Sequence, residues 1–421
     1  MLPPVTGELL AQSGANLARN RTRSLLTMLG IVWGIVAVTV LLAYGSGFRR
    51  ILTTAFDAFG RSAVVAWPGQ TSEQAGGERA GRRVRFEKAD RDAIEAEATL
   101  VKSISMETVQ WRQIAYGDRM ANTAVRGVEP VYGEIRNEVP SDGRWLSPED
   151  FVERRRVAFL GSQLRKKLFA GRPAVGETIR IDGMRFTVVG AMDRKMQMSN
   201  YFTSDDECAF IPYTTAGDLW DTRYASVLVF SAVTPSMEKA AIQQVRDAVG
   251  KRQRFSGTDT RAIQMFGREE FRPIIDGITI GLQVLLVFVG TLTLGIGGVG
   301  VANIMLVSVD ERVREIGLRR ALGARKRHIR LQFLAEALVL TLIGGAAGIV
   351  LSYAVTAVMP ILPVLGPLYQ DDSGKGDMQL RISALTVLGS SLILVFVGMA
   401  SGLVPALKAS RLDPVEALRY E

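Results

Sequence analysis

From Gly297 to Gly345 the sequence runs apolar, then densely charged, then apolar again, and this alternation constrains the fold more than any other feature. The bridge sets Asp310, Glu311 and Glu315 against Arg312, Arg314, Arg319, Arg320, Arg325, Lys326, Arg327 and Arg330. An apolar run of about 20 residues crosses the hydrocarbon of a bilayer, and short loops rich in Arg and Lys stay on the cytoplasmic side. The stretch therefore reads as two membrane helices joined inside the cell. The bridge is itself patterned: Val309, Val313 and Ile316 recur at helical spacing, Glu315 precedes Arg319 by one turn in the favourable order, and Gly323 supplies a stop.

The 421 residues are 48% hydrophobic and 22% charged, which supplies apolar material for several spans and a soluble domain. Residues 24–46 form the first span. A cleaved signal peptide is the competing reading, but the run is long for an h-region and shows no small-x-small cleavage site. Residues 274–309, 333–358 and 385–406 form the other spans, the second being longer than a bilayer requires. Residues 1–23, with Leu9, Leu10 and Leu17 on one face, read as a cytoplasmic interfacial segment, 310–332 as a cytoplasmic coupling segment and 407–421 as a cytoplasmic tail. Residues 47–273 lie outside, as does the 359–384 loop with its prolines and Asp371, Asp372 and Asp377.

A net charge of +9 would suit a nucleic-acid binder. However, Arg19, Arg21, Arg23, the bridge, Lys408 and Arg411 all flank apolar segments, so membrane orientation accounts for them and no nucleic acid is expected. Cys208 and His328 are each alone in the sequence, which excludes an intrachain disulfide, a thiolate metal cluster, His-based zinc sites and most His-based triads. No catalytic residue, cofactor or metal is expected on this chain.

The outer segment reads as an α+β domain. Glu87 to Glu97 and Ser162 to Phe169 pattern as helices, and Val84 to Phe86, Ser103 to Trp111, Met120 to Val125 and Arg156 to Leu160 as strands. Tyr116-Gly117-Asp118 is a turn, and Glu177 to Val189 a hairpin turning on Asp182-Gly183, a pair suited to positive φ. The Gly-rich run from Pro68 to Arg83 is expected to be a mobile loop.

Gly295 to Gly300 satisfies G-x-G-x-x-G, but inside an apolar run it lacks the strand and the acidic partner of a dinucleotide site. Close helix packing is the better reading. G-x-x-x-G pairs recur in every span: Gly30 with Gly34, Gly277 with Gly281, Gly344 with Gly348, and Gly398 with Gly402. In the tail, Asp413 can cap a helix starting at Pro414, with Glu416 completing a capping box, whether or not a partner binds there. The sequence contains no G-x-x-x-x-G-K-[ST] phosphate loop, and apart from Asp276 at the very start of the second span, Glu336, placed to pair with a basic residue of the bridge, is the only acid within the spans. Energy is expected to arrive from another subunit.

VANIMLVSVDERVREIGLRRALGA, across the bridge, resembles the junction between the second and third membrane helices of MacB-like ABC transporter permeases, within the FtsX superfamily. RWLSPEDF, VAFLGSQLRKKLF, VGETIRIDGMRFTVVGAM and AFIPYTTA are similar in order and spacing to the extracytoplasmic domain of that family, and GLVPALKASRLDPVEALRYE to its ending. The resemblance implies an α-helical membrane protein with four transmembrane helices and a large α+β two-lobed extracytoplasmic domain. Its proximal α/β lobe would lie at about 49–115 and 225–271, and its inserted β-rich lobe at about 116–224.

It further implies a permease subunit that is not an enzyme, acting as a homodimer in the inner membrane with both termini cytoplasmic. A separate ABC ATPase would carry the ATP and Mg. Glu311, Arg312, Arg314, Glu315, Arg319, Arg320, Gly323, Asp413 and Pro414 are then the residues expected to couple to it. ATP-driven motion would expel an amphipathic drug, peptide or lipoprotein, with a membrane-fusion adaptor and an outer-membrane channel as further partners. An FtsX-like signalling transmitter that regulates an extracytoplasmic enzyme without transport is the alternative.

Overall fold

The computed structural model describes residues 21–60, 62–195, 201–364, 366, 374 and 376–418. Residues 1–20 of the interfacial segment expected at 1–23, and Asp371 and Asp372 of the last outer loop, lie outside the described residues. The first element is α1 (Arg21–Asp57), followed by β1 (Ala63–Pro68), α2 (Lys88–Glu97), β2 (Val101–Tyr116), β3 (Arg119–Val128), α3 (Tyr132–Arg136) and β4 (Pro140–Gly143). Next come α4 (Pro148–Val152), β5 (Val157–Leu160), α5 (Ser162–Phe169), β6 (Thr178–Ile181), β7 (Met184–Met192), β8 (Ala209–Pro212), α6 (Tyr213–Ala216), β9 (Val227–Ala232), α7 (Glu238–Gln253) and β10 (Ile263–Gly267). Long helices then return: α8 (Arg268–Glu311), α9 (Val313–Ala321), α10 (Lys326–Val358), the short strands β11 (Leu362–Pro363) and β12 (Asp377–Met378), α11 (Ala384–Arg411) and α12 (Pro414–Leu418). A helical unit takes the chain up to Arg50, Gly277–Pro363 and the part from Asp377 on, while Ile51–Asp276 with Val364–Gly376 make an α/β unit.

Among the described residues, four helices are long and apolar enough to cross a membrane: Met28–Phe56 within α1, and α8, α10 and α11. The 44 residues of α8 extend about 66 Å at 1.5 Å per residue, against a hydrocarbon core of about 30 Å. Its helix begins at Arg268 rather than 274, because Glu238 of α7 caps the first turn by accepting the Glu269 N–H at 3.0 Å. Similarly α10 begins at Lys326 rather than 333, so Lys326 to Gln332 of the charged bridge are already helical.

The α/β unit holds one ten-stranded sheet in the order β10-β1-β9-β2-β3-β8-β5-β7-β4, with β6 beside β2 and β7. Strand β2 is 16 residues long; its first half pairs with β9 and its second with β3. The lobe limit expected at 115/116 therefore falls within a strand, and one sheet serves both regions. Asp182 and Gly183, at φ +47° and +84°, turn the β6–β7 hairpin in the left-handed geometry that its two-residue loop requires.

Two details depart from expectation. Val84 to Phe86 makes a single bridge, from Phe86 to Ala225, instead of a strand. The Pro68–Arg83 run is tied down: Thr71 N–H donates to the Arg82 carbonyl at 2.9 Å, and the Asp259 carboxylate accepts from the Ser72 N–H at 2.6 Å and its hydroxyl at 2.8 Å.

At the centre of the unit three cations and three carboxyl side chains are buried together. Arg126 lies 3.1 Å from Glu107, Arg136 3.0 Å from Asp205, and Lys195 2.9 Å from both Glu138 and Asp205. Arg126 also donates to the carbonyls of Tyr201 and Thr203 at 3.0 and 2.6 Å, and the Tyr201 hydroxyl donates to Glu107 at 2.5 Å. Burial pushes Glu138 up to about 8 and raises Glu107 too. It acts the same way on Asp205, but there Lys195, Arg136 and Arg126 outweigh it and hold the carboxyl far below its ordinary range. Cys208, its sulfur 3.2 Å from Arg126 Nε, is buried, and its thiol is pushed up to about 12.

Arg126→Met leaves Glu107 and Asp205 without their shared cation, so unfolding free energy should fall by about 3–5 kcal/mol. Denaturant titration followed by near-UV circular dichroism measures it; a loss below about 1 kcal/mol would show that the network carries no such interdependence.

Candidate functional site

The last turn of α8, the α9–α10 connection and the end of α11 with α12 meet at one end of the helical unit. Val309, Val313 and Ile316 are buried there. Beside them, a Cβ on Gly317 would lie 2.6 Å from Ala417 Cβ, so α9 and α12 approach to a distance that only glycine permits. The Arg320 guanidinium donates to the carbonyl of Leu412 and, at 3.5 Å, to that of Ser410. A cation on carbonyls at a helix C-terminus also opposes the negative end of the helix dipole. Asp413 accepts the Val415 N–H at 2.8 Å and so starts α12. Lys408 pairs with Asp310 at 2.7 Å and Arg312 with Glu336 at 3.5 Å.

The stop after α9 has a defined form. Gly323 sits at φ +96°, its N–H donates to the Arg320 carbonyl at 3.1 Å, and the Ala324 N–H donates to the Arg319 carbonyl at 3.0 Å. These are the two bonds of a Schellman motif.

The residues expected to couple to a partner divide into two groups. Arg312, Arg319 and Arg320 turn to their own chain, Arg319 reaching Glu315 at 2.6 Å and Gln332 at 2.9 Å. Glu311, Arg314, Glu315, Gly323 and Asp413 are exposed, and Pro414 is half-buried. The charge pattern does not mark Leu318 and Leu322, which are 52% and 81% exposed. They lie one turn apart, with Arg314 one further turn back, on the side of α9 away from Ile316 and Gly317. Their signal was the i, i+4 series 314, 318, 322 set off from 309, 313, 316. Exposed apolar pairs rimmed by charge mark protein interfaces.

The packing glycines divide as well. A Cβ on Gly34 would reach Leu294 Cδ1 at 2.8 Å, on Gly344 Ile31 Cγ2 at 3.1 Å, on Gly398 Thr341 Oγ1 at 2.5 Å and on Gly402 Ala337 Cβ at 2.7 Å, while on Gly348 it would overlap Ile35. Gly30 faces Gly297, its added Cβ 3.6 Å from the Gly297 Cα. Gly277 and Gly281 meet nothing within 4 Å, so that pair makes no contact within the described chain. In the G-x-G-x-x-G run, Gly297 lies against α1 and Gly298 against Val397 of α11.

The family model for the MacB-like periplasmic core domain matches residues 24–250, and that for the FtsX-like permease C-terminal region matches residues 287–414. A Bdellovibrio bacteriovorus protein named macrolide export ATP-binding/permease protein MacB is 33% identical over 420 residues, which are 98% of this chain and 62% of that one. The chain thus spans less than two thirds of that relative's length. The uncharacterized ABC transporter permease YknZ of Bacillus subtilis is 29% identical over 408 residues, 97% of each chain. The periplasmic region of MacB from Actinobacillus actinomycetemcomitans covers 54% of this chain with 98% of its own, at TM-score 0.42 and 14% identity.

Gly348→Leu forces a branched side chain into Ile35 and should cost about 1–3 kcal/mol or more, whereas Val350→Leu, at a position 70% exposed, should be silent. Thermal midpoints and monodisperse yield in detergent compare them. Equal values would remove the role given to the α1–α10 contact.

Proposed function

The chain belongs to the MacB/FtsX-like permease family of ABC transporters, and from that premise we propose that α9 is the surface through which a separate ATPase subunit drives this membrane subunit. The exposed Leu318–Leu322 pair beside Arg314 and Glu315 carries the proposal. Binding energy at interfaces concentrates in a few apolar anchors enclosed by a polar rim. Behind this face, the Gly317–Ala417 contact and the Arg320 bonds fix the helix, so a push on it moves the ends of α8, α10 and α11 as one body. ATP and Mg would be held by the partner.

In this reading the protein is a multi-pass subunit of the inner (cytoplasmic) membrane with both termini cytoplasmic and the α/β unit outside. The cations from Arg312 to Arg330, with Lys408 and Arg411, support that orientation. Two copies would act with two ATPase subunits to expel an amphipathic substrate, a class supported by the naming of several relatives as macrolide exporters. A membrane-fusion adaptor and an outer-membrane channel would complete the export route.

The test pairs Arg314→Glu with Leu322→Asp. Both positions are exposed, so stability should stay within about 0.5 kcal/mol and membrane insertion should be normal. Stimulation of the co-expressed ATPase should fall at least about tenfold, the loss of one interface anchor worth more than 1.4 kcal/mol. Arg319→Glu is less informative, since it also breaks the bonds to Glu315 and Gln332. If the double variant copurifies with the ATPase in normal yield and retains full turnover, α9 is not the coupling surface.

A further inference from the structure

A cavity of about 210 Å³ opens in the α/β unit among the end of α1, β1, β10 and the first turn of α8. Phe56, Phe59, Trp67, Tyr201, Phe266 and Phe271 wall it. The rings meet edge to face: Trp67 with Phe266 at 5.4 Å and 78°, Trp67 with Tyr201 at 5.7 Å and 88°, Phe56 with Phe271 at 6.5 Å and 66°. None of these pairs is stacked, so ring faces remain for a guest to meet.

The walls are held in place from behind. The Arg136 guanidinium lies 3.7 Å over the Phe59 ring and 5.1 Å over Tyr201, and Arg126 lies 4.8 Å over Tyr201. Both arginines belong to the buried ionic cluster, which makes this side of the cavity rigid before any ligand arrives. The other side is open: Phe266 and Phe271 are 45% and 42% exposed, an uncovered aromatic lip. Among the described residues that line the cavity the charged one is Arg268, whose guanidinium lies 5.8 Å over the Phe56 ring and also acts on the Glu238 carboxyl.

We propose that this cavity binds the planar aromatic part of an amphiphile and that Arg268 holds the ligand's carboxylate or an equivalent anionic group. An apolar cavity of about 150 Å³ takes up benzene, so the volume here suits a moiety of one or two rings, with the rest of the ligand leaving past the lip. A cationic ligand is disfavoured, because Arg268 repels it and guanidinium groups already cover the Phe59 and Tyr201 rings. Binding here requires neither ATP nor a partner subunit, so it stands or falls separately from the coupling role of α9.

The test uses the full chain in nanodiscs, irradiated with 4-(trifluoromethyl-diazirinyl)benzoic acid or with its methyl ester, and the labelled peptides are mapped by mass spectrometry. The acid should label the peptides around Phe56–Trp67 and Phe266–Phe271, and excess 2-naphthoate should compete. Phe266→Ala with Phe271→Ala, at half-exposed positions, should reduce that labelling about tenfold. Arg268→Gln should reduce labelling by the acid about tenfold, the worth of one charge-assisted hydrogen bond, and leave the ester unchanged. Label confined to the membrane helices, no competition by naphthoate, or a long-chain acyl carboxylate competing better than naphthoate would overturn the aromatic site. An Arg268→Gln variant that treats acid and ester as the wild type does would overturn the anion recognition. If a variant loses its circular dichroism spectrum, the wild-type map and its competition decide.

Discussion

Two apolar helices in hydrocarbon gain little by meeting except the fit of their surfaces, and the helical unit depends on how closely α1 can be approached. Gly297 of α8 lies against Gly30, Leu294 fills the space left at Gly34, and Gly344 and Gly348 of α10 admit Ile31 and Ile35. Both isoleucines are buried on a helix whose Trp33 is 69% exposed, so α1 has one face committed to its neighbours and another free of them. Earlier along the same buried stripe of α10, Thr341 and Ala337 meet Gly398 and Gly402 of α11, which repeat the device. Each contact trades side-chain volume for proximity. That is why enlarging one partner is felt across the seam.

Much of this is legible in the sequence. Four spans, the hairpin on Asp182-Gly183 and the α5 helix follow from periodicity and turn chemistry, which are local. What a glycine faces is not local. The pairs at Gly277 and Gly344 share one spacing, yet only the second has a neighbour, because a motif records small residues on a face and not whether a helix arrives there. The same limit applies to Asp259, which holds Ser72 from 187 residues away. In the bridge, charge density marks out α9 but not which of its side chains face outward: three of the arginines brace their own chain, while Leu318 and Leu322 are exposed.

The α/β unit follows a different logic. A cluster of six ionisable side chains sits within its core, where an isolated charge would cost several kcal/mol, and their pairing offsets that cost. Hydrophobic residues could have filled the space at no loss of stability. What ionic bonds add is direction, because a guanidinium fixes the orientation of the carboxylates, carbonyls and rings around it. Arg126 and Arg136 thereby hold residues brought from β2, α3, the segment after α1 and the segment before β8 in one arrangement.

The contact of Gly317 with Ala417 also sets an order of events during biosynthesis. The two residues are separated by about 100 positions, and chains grow at roughly 5–20 residues per second, so α9 waits about 5–20 s before α12 exists to lie against it. During that interval the carbonyls of Leu412 and Ser410 are not yet there to receive Arg320, and the hollow at Gly317 is open to water or to other nascent helices. Assembly at this end of the bundle therefore comes late: the seat at Gly317 is filled only after α10 and α11 have both been made.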